Sequence, residues 1–467
     1  MHIASPNPKS PFGTYDFRGR LGLDFTLGTV ERVGRFLPGV LKAKKILVGR
    51  DARATSPDMA AALIKGLTES GARVTDMELA TTPMVYHFTA VKNFDASVQI
   101  TASHNPPEYN GLKISRKGSL PFDTASLQKI KVLVDDKNSK PEPVANSKGC
   151  VQTADYTDEF IRYLEKWKSD FSCLRFAVDA TDGSTGLIAA KLFGNTKNVT
   201  LLNCGHQGDF HKKFGPNPLE AAIRKQLSKT VRDNRLDLGI IFDGDGDRVM
   251  FVDETGGFVQ PDYLIPVIAR HFFADNPAAR VVHDIRTSRG ATAALRADGA
   301  VPIIWKVGHV FLKEMLRETD SICGGELAGH YYFRDFHNCD SAEVASLIIL
   351  GQFAKARRNG IKTFSQFIEK IRCHPNSGET NHVIADENKA RAIAAVRDAA
   401  LKLGGTPLAI YAFDGIRLDF PHWWINVRKS NTEPFVRLIL EADTQELFDS
   451  LFPFFEKVLE PFVNKKI

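Results

Sequence analysis

Asp243-Gly-Asp-Gly-Asp-Arg248 sets three carboxylates at alternating positions with glycines between them. That spacing lets Asp243, Asp245 and Asp247 turn toward one point without crowding. Hard divalent cations take such oxygen ligands, and Mg2+ in particular combines a few carboxylates with phosphate oxygens. The run also imitates the start of an EF-hand calcium loop, with Glu254 at the twelfth position. Arg248 stands at the sixth, however, where that loop needs glycine, and the flanks read as strands rather than helices. A metal site is expected here, with a solvated acidic turn as the alternative.

Thr101-Ala-Ser-His-Asn-Pro106 puts Ser103 just after an apolar strand. A serine hydroxyl is a weak nucleophile unless activated, and no G-x-S-x-G elbow surrounds it, which argues against acyl transfer. The hydroxyl can instead accept or carry a phosphoryl group, whose charge of about −1.5 to −2 would need a metal beside it. The aspartate loop could supply one. An ordinary Ser-His turn stays open, with His104 an orienting hydrogen-bonder more than a base. Gly324-Gly-Glu-Leu-Ala-Gly-His330 offers Glu326 and His330 in a glycine-rich loop, and a carboxylate that accepts from paired hydroxyls suits a sugar. Arg428-Lys-Ser-Asn-Thr432 combines a guanidinium, hydroxyls and an amide that match a phosphate dianion. A structural surface loop and a polar hairpin are the plain alternatives for these two.

The elements that must carry these loops repeat along the chain. KILVGRDARATSPDMAAALIKGL from Lys45, LRFAVDATDGSTGLIAAKLF from Leu174 and RVVHDIRTSRGATAALRADG from Arg280 each begin with a strand-length apolar run. Each then breaks into a polar turn containing Asp51, Asp179 or Asp284 and continues as an amphipathic or Ala-rich helix. A second strand follows near Val74, Val199 and Ile303. A third, at 97–100, 238–242 or 321–323, runs into one of the loops above. Strand–helix–strand units of this kind build mainly parallel sheets covered by helices, and ligands gather beyond the C-terminal strand ends. Polar stretches at 135–148, 253–257 and 374–380 read as joints. The last segment differs: a helix over 387–403, strands at 416–420, 424–427 and 435–441, and a helix over 445–463.

At 467 residues, with 43% hydrophobic and 25% charged residues, the composition is that of a globular multidomain protein and excludes disorder, collagen and disulfide scaffolds. Apolar runs are far shorter than the about 20 residues of a bilayer span, and MHIASPNPKSPFG lacks the basic flank and apolar core of a secretory signal. Six cysteines with no C-x-x-C pair read as reduced thiols. A cytoplasmic protein with no membrane partner is expected. The net charge of +6 is spread thinly, without the clustering that nucleic acid requires.

Together the loops resemble those of the α-D-phosphohexomutases, in the phosphomannomutase/phosphoglucomutase branch. The resemblance runs end to end through Phe12–Gly19, Thr101–Pro106, Asn110–Lys113, Asp243–Arg248, Lys306–His309, Gly325–His330 and Arg428–Pro434. It implies three related α/β domains with mixed, mainly parallel sheets plus a C-terminal α+β domain around one central cleft. The domains are expected at 1–148, 149–254, 255–372 and 373–467. It also implies reversible phosphoryl transfer between C1 and C6 of mannose and/or glucose phosphates, through a phosphoserine and a hexose 1,6-bisphosphate. Ser103 would carry the phosphate. Asp243, Asp245 and Asp247 would bind Mg2+ together with that phosphate, with Arg248 and His104 beside it. Arg18, Lys113 and His309 would move protons or stabilise charge. Glu326 would hold sugar hydroxyls, and Arg428, Ser430, Asn431 and Thr432 the non-transferring phosphate, with Tyr15, His330 and Arg286 nearby. Ala328 stands where the family often has serine, and Arg286 where close relatives often have lysine; both touch substrate handling. A monomer acting on hexose phosphates is expected. An Mg-dependent sugar-phosphate hydrolase or a glucosamine-phosphate mutase is the alternative.

Overall fold

Each of the three repeated segments folds as its apolar pattern requires. In the first, Lys45–Arg50 lies between Arg73–Leu79 and Ala96–Ile100, parallel to both. In the second, Phe176–Asp179 lies between Val199–Leu202 and Leu238–Phe242, again parallel. In the third, Arg280–Asp284 lies between Val301–Trp305 and Cys323–Gly325 in the same sense. The first strand of each segment is therefore central and flanked by the second and third. Such strands are covered on both faces, which is why they read as unbroken apolar runs rather than alternating ones.

In the computed structural model, residues 9–464 are described, apart from 14–15, 195, 197, 209, 211–214 and 431–433. The chain forms two units, one of Met1–Pro261 with Ala328–Phe367 and one of Asp262–Leu327 with Ile368–Ile467. In the first unit the two parallel cores are extended by antiparallel strands. Tyr109–Arg116 and Phe17–Arg20 add to the first sheet; Val249–Asp253 and Phe258–Val259 add to the second. The stretch 253–257, read from sequence as a joint, is the hairpin turn between those last two strands. Asp253 closes it by accepting from the Thr255 and Gly257 amides.

The second unit also contains an antiparallel sheet, ordered Thr380–Val383, Phe435–Ala442, Trp423–Lys429, Ile416–Asp419, Ala409–Tyr411. Helices Asp386–Gly404 and Gln445–Leu459 bury Val396, Ala400, Phe455 and Leu459 against its Leu418, Ile425, Val427 and Leu438. Its two edge strands, Thr380–Val383 and Ala409–Tyr411, escaped the sequence reading because both are short and only partly buried. The third strand of the third segment also begins later than expected, at Cys323 rather than Ser321. It takes in Gly324, where a Cβ would come within 2.6 Å of the Val282 carbonyl oxygen.

The helices that cover the first sheet pack unusually close. Gly34 on Leu27–Leu41 and Gly66 on Ser56–Glu69 face each other across the crossing. A Cβ at Gly66 would lie 2.1 Å from the Glu31 carbonyl oxygen, and one at Gly34 2.4 Å from that of Leu63. Backbone cannot yield as a flexible side chain can. Gly66→Ala is therefore expected to destabilise the protein by about 2 kcal/mol, overpacking outweighing alanine's helix preference. A urea midpoint equal to or above the wild-type value would refute the close-packing account.

Candidate active site

Ser103 sits at the end of Ala96–Ile100 with a left-handed backbone, φ 50°, and is buried. The turn is knit by the Ser103 amide donating to Thr101 Oγ1 at 2.8 Å and by that hydroxyl donating to Asp51 Oδ2 at 2.8 Å. Arg18, on the adjacent strand Phe17–Arg20, donates to the Ala102 carbonyl and to Asn105 Oδ1. The result points Ser103 Oγ at the aspartate loop: it donates to Asp243 Oδ2 at 2.6 Å, with Asp247 Oδ1 at 3.4 Å and His104 Nδ1 at 3.2 Å. A hydroxyl has one proton, so the short Asp243 contact takes it. Gly244 makes the approach possible, since a Cβ there would lie 2.8 Å from the Ser103 carbonyl oxygen.

The aspartate loop leaves the end of Leu238–Phe242 and closes on itself, the Gly246 and Arg248 amides donating to Asp243 Oδ1 at 3.0 and 3.2 Å. Two helix N-termini grip it. Thr82, opening Thr82–Val91, donates its amide to the Asp245 carbonyl and its hydroxyl to Asp245 Oδ2 at 2.5 Å. Ala342, opening Ala342–Arg358, donates its amide to the Gly246 carbonyl, and the next residue, Glu343, accepts from Thr81 and Ser341. Burial pushes the Glu343 carboxyl up to about 7. Lys113, on Tyr109–Arg116, is the nearest cation; its ammonium pairs with Asp247 and lies 3.5 Å from Asp245 Oδ2. Burial alone would lower its pKa, but Asp247, Asp245 and Asp340 outweigh that and hold it charged.

The three carboxylates are fully buried, and one oxygen from each lies within 4.8 Å of the others. Burial and the charges of Asp247 and Asp245 push Asp243 well above the usual carboxylate range. Asp247, though buried, is held well below it, chiefly by Lys113. Asp245 Oδ1 is buried with no hydrogen-bond partner among the described residues. An all-oxygen donor set with an orphaned oxygen and an excess of negative charge fits a hard divalent cation.

Arg248 ends the loop and is itself held. Its Nε donates to His330 Nε2 at 2.9 Å. A guanidinium can only donate, so the ring proton is on Nδ1, which faces Asp340 Oδ2 at 2.8 Å and the Asp247 carbonyl at 3.1 Å. Both ring nitrogens of His330 are thus engaged in orienting Arg248. His104 is kept neutral by burial, reinforced by Arg248 and Arg18.

The second unit gathers another cluster. Glu379 Oε1 accepts from Arg428 Nε at 3.1 Å and Nη2 at 2.9 Å; its Oε2 lies 3.2 Å from Arg286 Nη1 and 3.5 Å from Arg437 Nη1. Arg428 and Arg437 are cross-strand partners, so the sheet itself aims both at one point. Arg286 forks onto Asp284 through Nε and Nη2 at 3.1 and 2.7 Å, with Glu326 at 3.7 Å. Glu326 accepts from the Gly308 amide, and His309 opens the helix His309–Glu318. Ser430 is buried just beyond Arg428.

Of the residues singled out from sequence, Ser103, His104, Arg18, Lys113, Asp243, Asp245, Asp247, Arg248 and His330 thus share the first unit. Arg286, Glu326, Arg428, Ser430 and His309 belong to the second. Tyr15, Asn431 and Thr432 lie outside the described residues. Sequence reasoning missed Arg53, Thr82, Asp340, Glu379 and Arg437. Only one of them left a usable signal: Asp51-x-Arg53 and Asp284-x-Arg286 repeat the same spacing in two of the three segments.

Comparison with known proteins agrees along the whole chain. The α/β/α domain I, II and III models of phosphoglucomutase/phosphomannomutase match residues 9–140, 154–257 and 260–372, and the C-terminal domain model matches 379–458. A phosphomannomutase of Escherichia coli is 34% identical over 449 residues, covering 93% of this chain and 95% of its own. A phosphomannomutase/phosphoglucomutase of Pseudomonas aeruginosa is 32% identical over 464 residues, covering 97% and 96%. A crystal structure of a phosphoglucomutase/phosphomannomutase family protein from Burkholderia thailandensis shares the fold, with a TM-score of 0.85 at 24% identity over 98% of this chain and 99% of that one.

Glu379 also makes the second unit sensitive to acid. Burial would raise its pKa, but Arg428, Arg286 and Arg437 prevail and lower it from 4.5 to about 2. A depressed carboxyl contributes stability above its unfolded pKa and loses it as pH falls through the folded value. About 3 kcal/mol should therefore disappear between pH 4.5 and 2. Glu379→Gln should lack that part of the acid limb and be less stable at neutral pH. Urea titrations from pH 7 to 2.5 check this, and parallel acid limbs for variant and wild type would contradict it.

Proposed function

The chain belongs to the phosphoglucomutase/phosphomannomutase family, and on that premise we propose that it interconverts hexose 1-phosphates and 6-phosphates by way of Ser103. Mannose and glucose phosphates are the substrates in this reading, and a hexose 1,6-bisphosphate is both intermediate and activator. The observation that carries it is the buried Ser103 hydroxyl 2.6 Å from Asp243 in a cluster that fits a divalent cation.

Phosphoserine 103 gives its phosphoryl group to the free 1- or 6-hydroxyl of the bound monophosphate; the Ser103 Oγ–P bond breaks as the new O–P bond forms. The proton of the attacking hydroxyl must leave and Ser103 Oγ must be charge-stabilised. Lys113, held charged, suits stabilisation rather than proton uptake, as do Arg18 and Arg248. The neutral imidazole of His104, beside Oγ, has a lone pair for orienting a hydroxyl. Mg2+ on Asp243, Asp245 and Asp247 would neutralise charge on the moving phosphoryl group. The bisphosphate then turns end for end and returns its other phosphate to Ser103. Arg428, Ser430, Asn431 and Thr432, with Tyr15 and Arg286, hold the phosphate that is not being transferred. Glu326 holds sugar hydroxyls, and His309 serves proton transfer at the reacting end. The enzyme acts as a cytoplasmic monomer whose four domains divide near 148, 254 and 372. No described helix is long and apolar enough to cross a membrane, and no disulfide joins the six cysteines.

Ser103→Ala should fold normally yet show no turnover of mannose 1-phosphate or glucose 1-phosphate in a coupled assay; wild-type rates in that variant would end the phosphoserine assignment. The same assay on wild type, with inorganic phosphate followed in parallel, separates a mutase from a sugar-phosphate hydrolase: a mutase releases almost none. Glucosamine 1-phosphate in a third arm tests the other alternative. Asp245→Ala should raise the Mg2+ concentration needed for half-maximal activity by at least about tenfold, as loss of a ligand or its support does. An unchanged Mg2+ dependence would remove the aspartate loop from the metal site.

A further inference from the structure

Arg53 is 1% exposed, and every one of its five N–H donors is committed. Nε donates to Asp51 Oδ2 at 3.1 Å. Nη1 donates to the Pro106 carbonyl at 2.7 Å and the Tyr109 carbonyl at 2.9 Å. Nη2 donates to the Ser103 carbonyl at 2.9 Å and the Asn105 carbonyl at 2.7 Å. One guanidinium therefore gathers four carbonyls of a loop that has no regular secondary structure between Ile100 and Tyr109. Its anchor is equally fixed: Asp51 also accepts from its own turn, through the Arg53 amide at 3.0 Å and Ser56 Oγ at 2.6 Å, and from Thr101 Oγ1 in the loop. Phe210 closes one face of the guanidinium, 5.0 Å from its ring centre.

The loop so held contains a strained residue. A left-handed backbone costs a non-glycine residue about 1–2 kcal/mol, and Ser103 has φ 50°. That conformation directs the Ser103 carbonyl toward Arg53 while its hydroxyl reaches Asp243. Relaxing it would swing Oγ away from the aspartates. Arg53 touches the backbone and never Oγ, so it acts through Ser103 rather than on the phosphoryl group. Lysine cannot replace it: a single ammonium has three donors and no planar fork to span four carbonyls.

The repeat supports this reading independently. In the third segment Asp284 likewise accepts from the amide of the residue two positions on, Arg286, and from its Nε. There the far end of the guanidinium lies on Glu379 instead of on carbonyls. An Asp-x-Arg hook at the end of the first strand is thus a recurring device for fixing what lies beyond the sheet.

We propose that Arg53 is the positioning residue for phosphoryl transfer at Ser103, clamping the carbonyls of Ser103, Asn105, Pro106 and Tyr109 so that the strained serine presents Oγ to the aspartate cluster. The proposal rests on the phosphoserine reading above. Wild type, Arg53→Lys and Arg53→Ala are assayed together with glucose 1-phosphate, Mg2+ and glucose 1,6-bisphosphate, at a temperature where circular dichroism finds each folded. We expect kcat to fall by about 100-fold in Arg53→Lys, the scale of an ångström-sized misplacement, with KM near the wild-type value. Millimolar guanidinium should partly restore kcat to Arg53→Ala, and methylammonium at equal ionic strength should not. Wild-type kcat in folded Arg53→Lys, or a loss confined to KM, overturns the proposal. So does failure of both variants to fold, which would make Arg53 a folding residue only. An inactive wild type overturns the functional reading and this proposal together; an active wild type with unaffected variants overturns this proposal alone.

Discussion

Asp243, Asp245 and Asp247 repel one another in an interior where a bare charge costs several kcal/mol, and most of what surrounds them serves to offset that cost. Backbone amides of Gly246 and Arg248 cap one carboxylate, the Thr82 hydroxyl another, and the Lys113 ammonium pairs with the third. The Thr82 and Lys113 donors could not reach the loop unless separate elements converged on it. Thr82 and Ala342 bring two helix N-termini, which favour negative charge. Lys113 arrives on a strand of the neighbouring sheet, and Ser103 on the loop beside that strand. The acidic turn is thus a point where two sheets and the Ala328–Phe367 segment of the first unit meet.

Compensation is deliberately incomplete around Asp243 and Asp245, whereas the second unit balances its charges. There Arg286, Arg428 and Arg437 meet Asp284, Glu326 and Glu379. Three guanidinium groups without those carboxylates would repel one another and sample many rotamers. Held by Glu379, they are ordered in place. Arg428 commits Nε and Nη2 to that carboxylate, and a guanidinium has further donors on its other edge.

The sheets were legible because their cause is periodic and local. An apolar run such as Ile46–Val48 or Leu238–Phe242, short and bounded by polar turns, reads as a covered strand, and three such runs with matching turns announce a repeat. Ser103 and the three aspartates were legible because the loops that hold them are chemically unlike ordinary turns. Arg53, Glu379, Arg437 and Asp340 were not, for a common reason. Each is engaged by partners from other elements, Arg53 by carbonyls 50 or more residues on and Glu379 by Arg428 and Arg437. Read locally, Arg53 is one polar residue in a turn, and Glu379 lies in a stretch that looks like a linker. His330, placed near the substrate phosphate by the resemblance, has its ring nitrogens on Arg248 and Asp340, partners that its loop sequence did not announce.

The strained backbone at Ser103 serves two contacts at once. In the left-handed conformation the carbonyl accepts from Arg53 while the donor, Oγ–H, faces Asp243. Gly244 then allows the two loops to close to hydrogen-bonding distance. The conformational cost at one residue is set against the two contacts that it makes possible. The arrangement is stable only if something fixed receives that carbonyl, and a fully engaged, buried guanidinium anchored on Asp51 meets that requirement where a mobile surface cation would not.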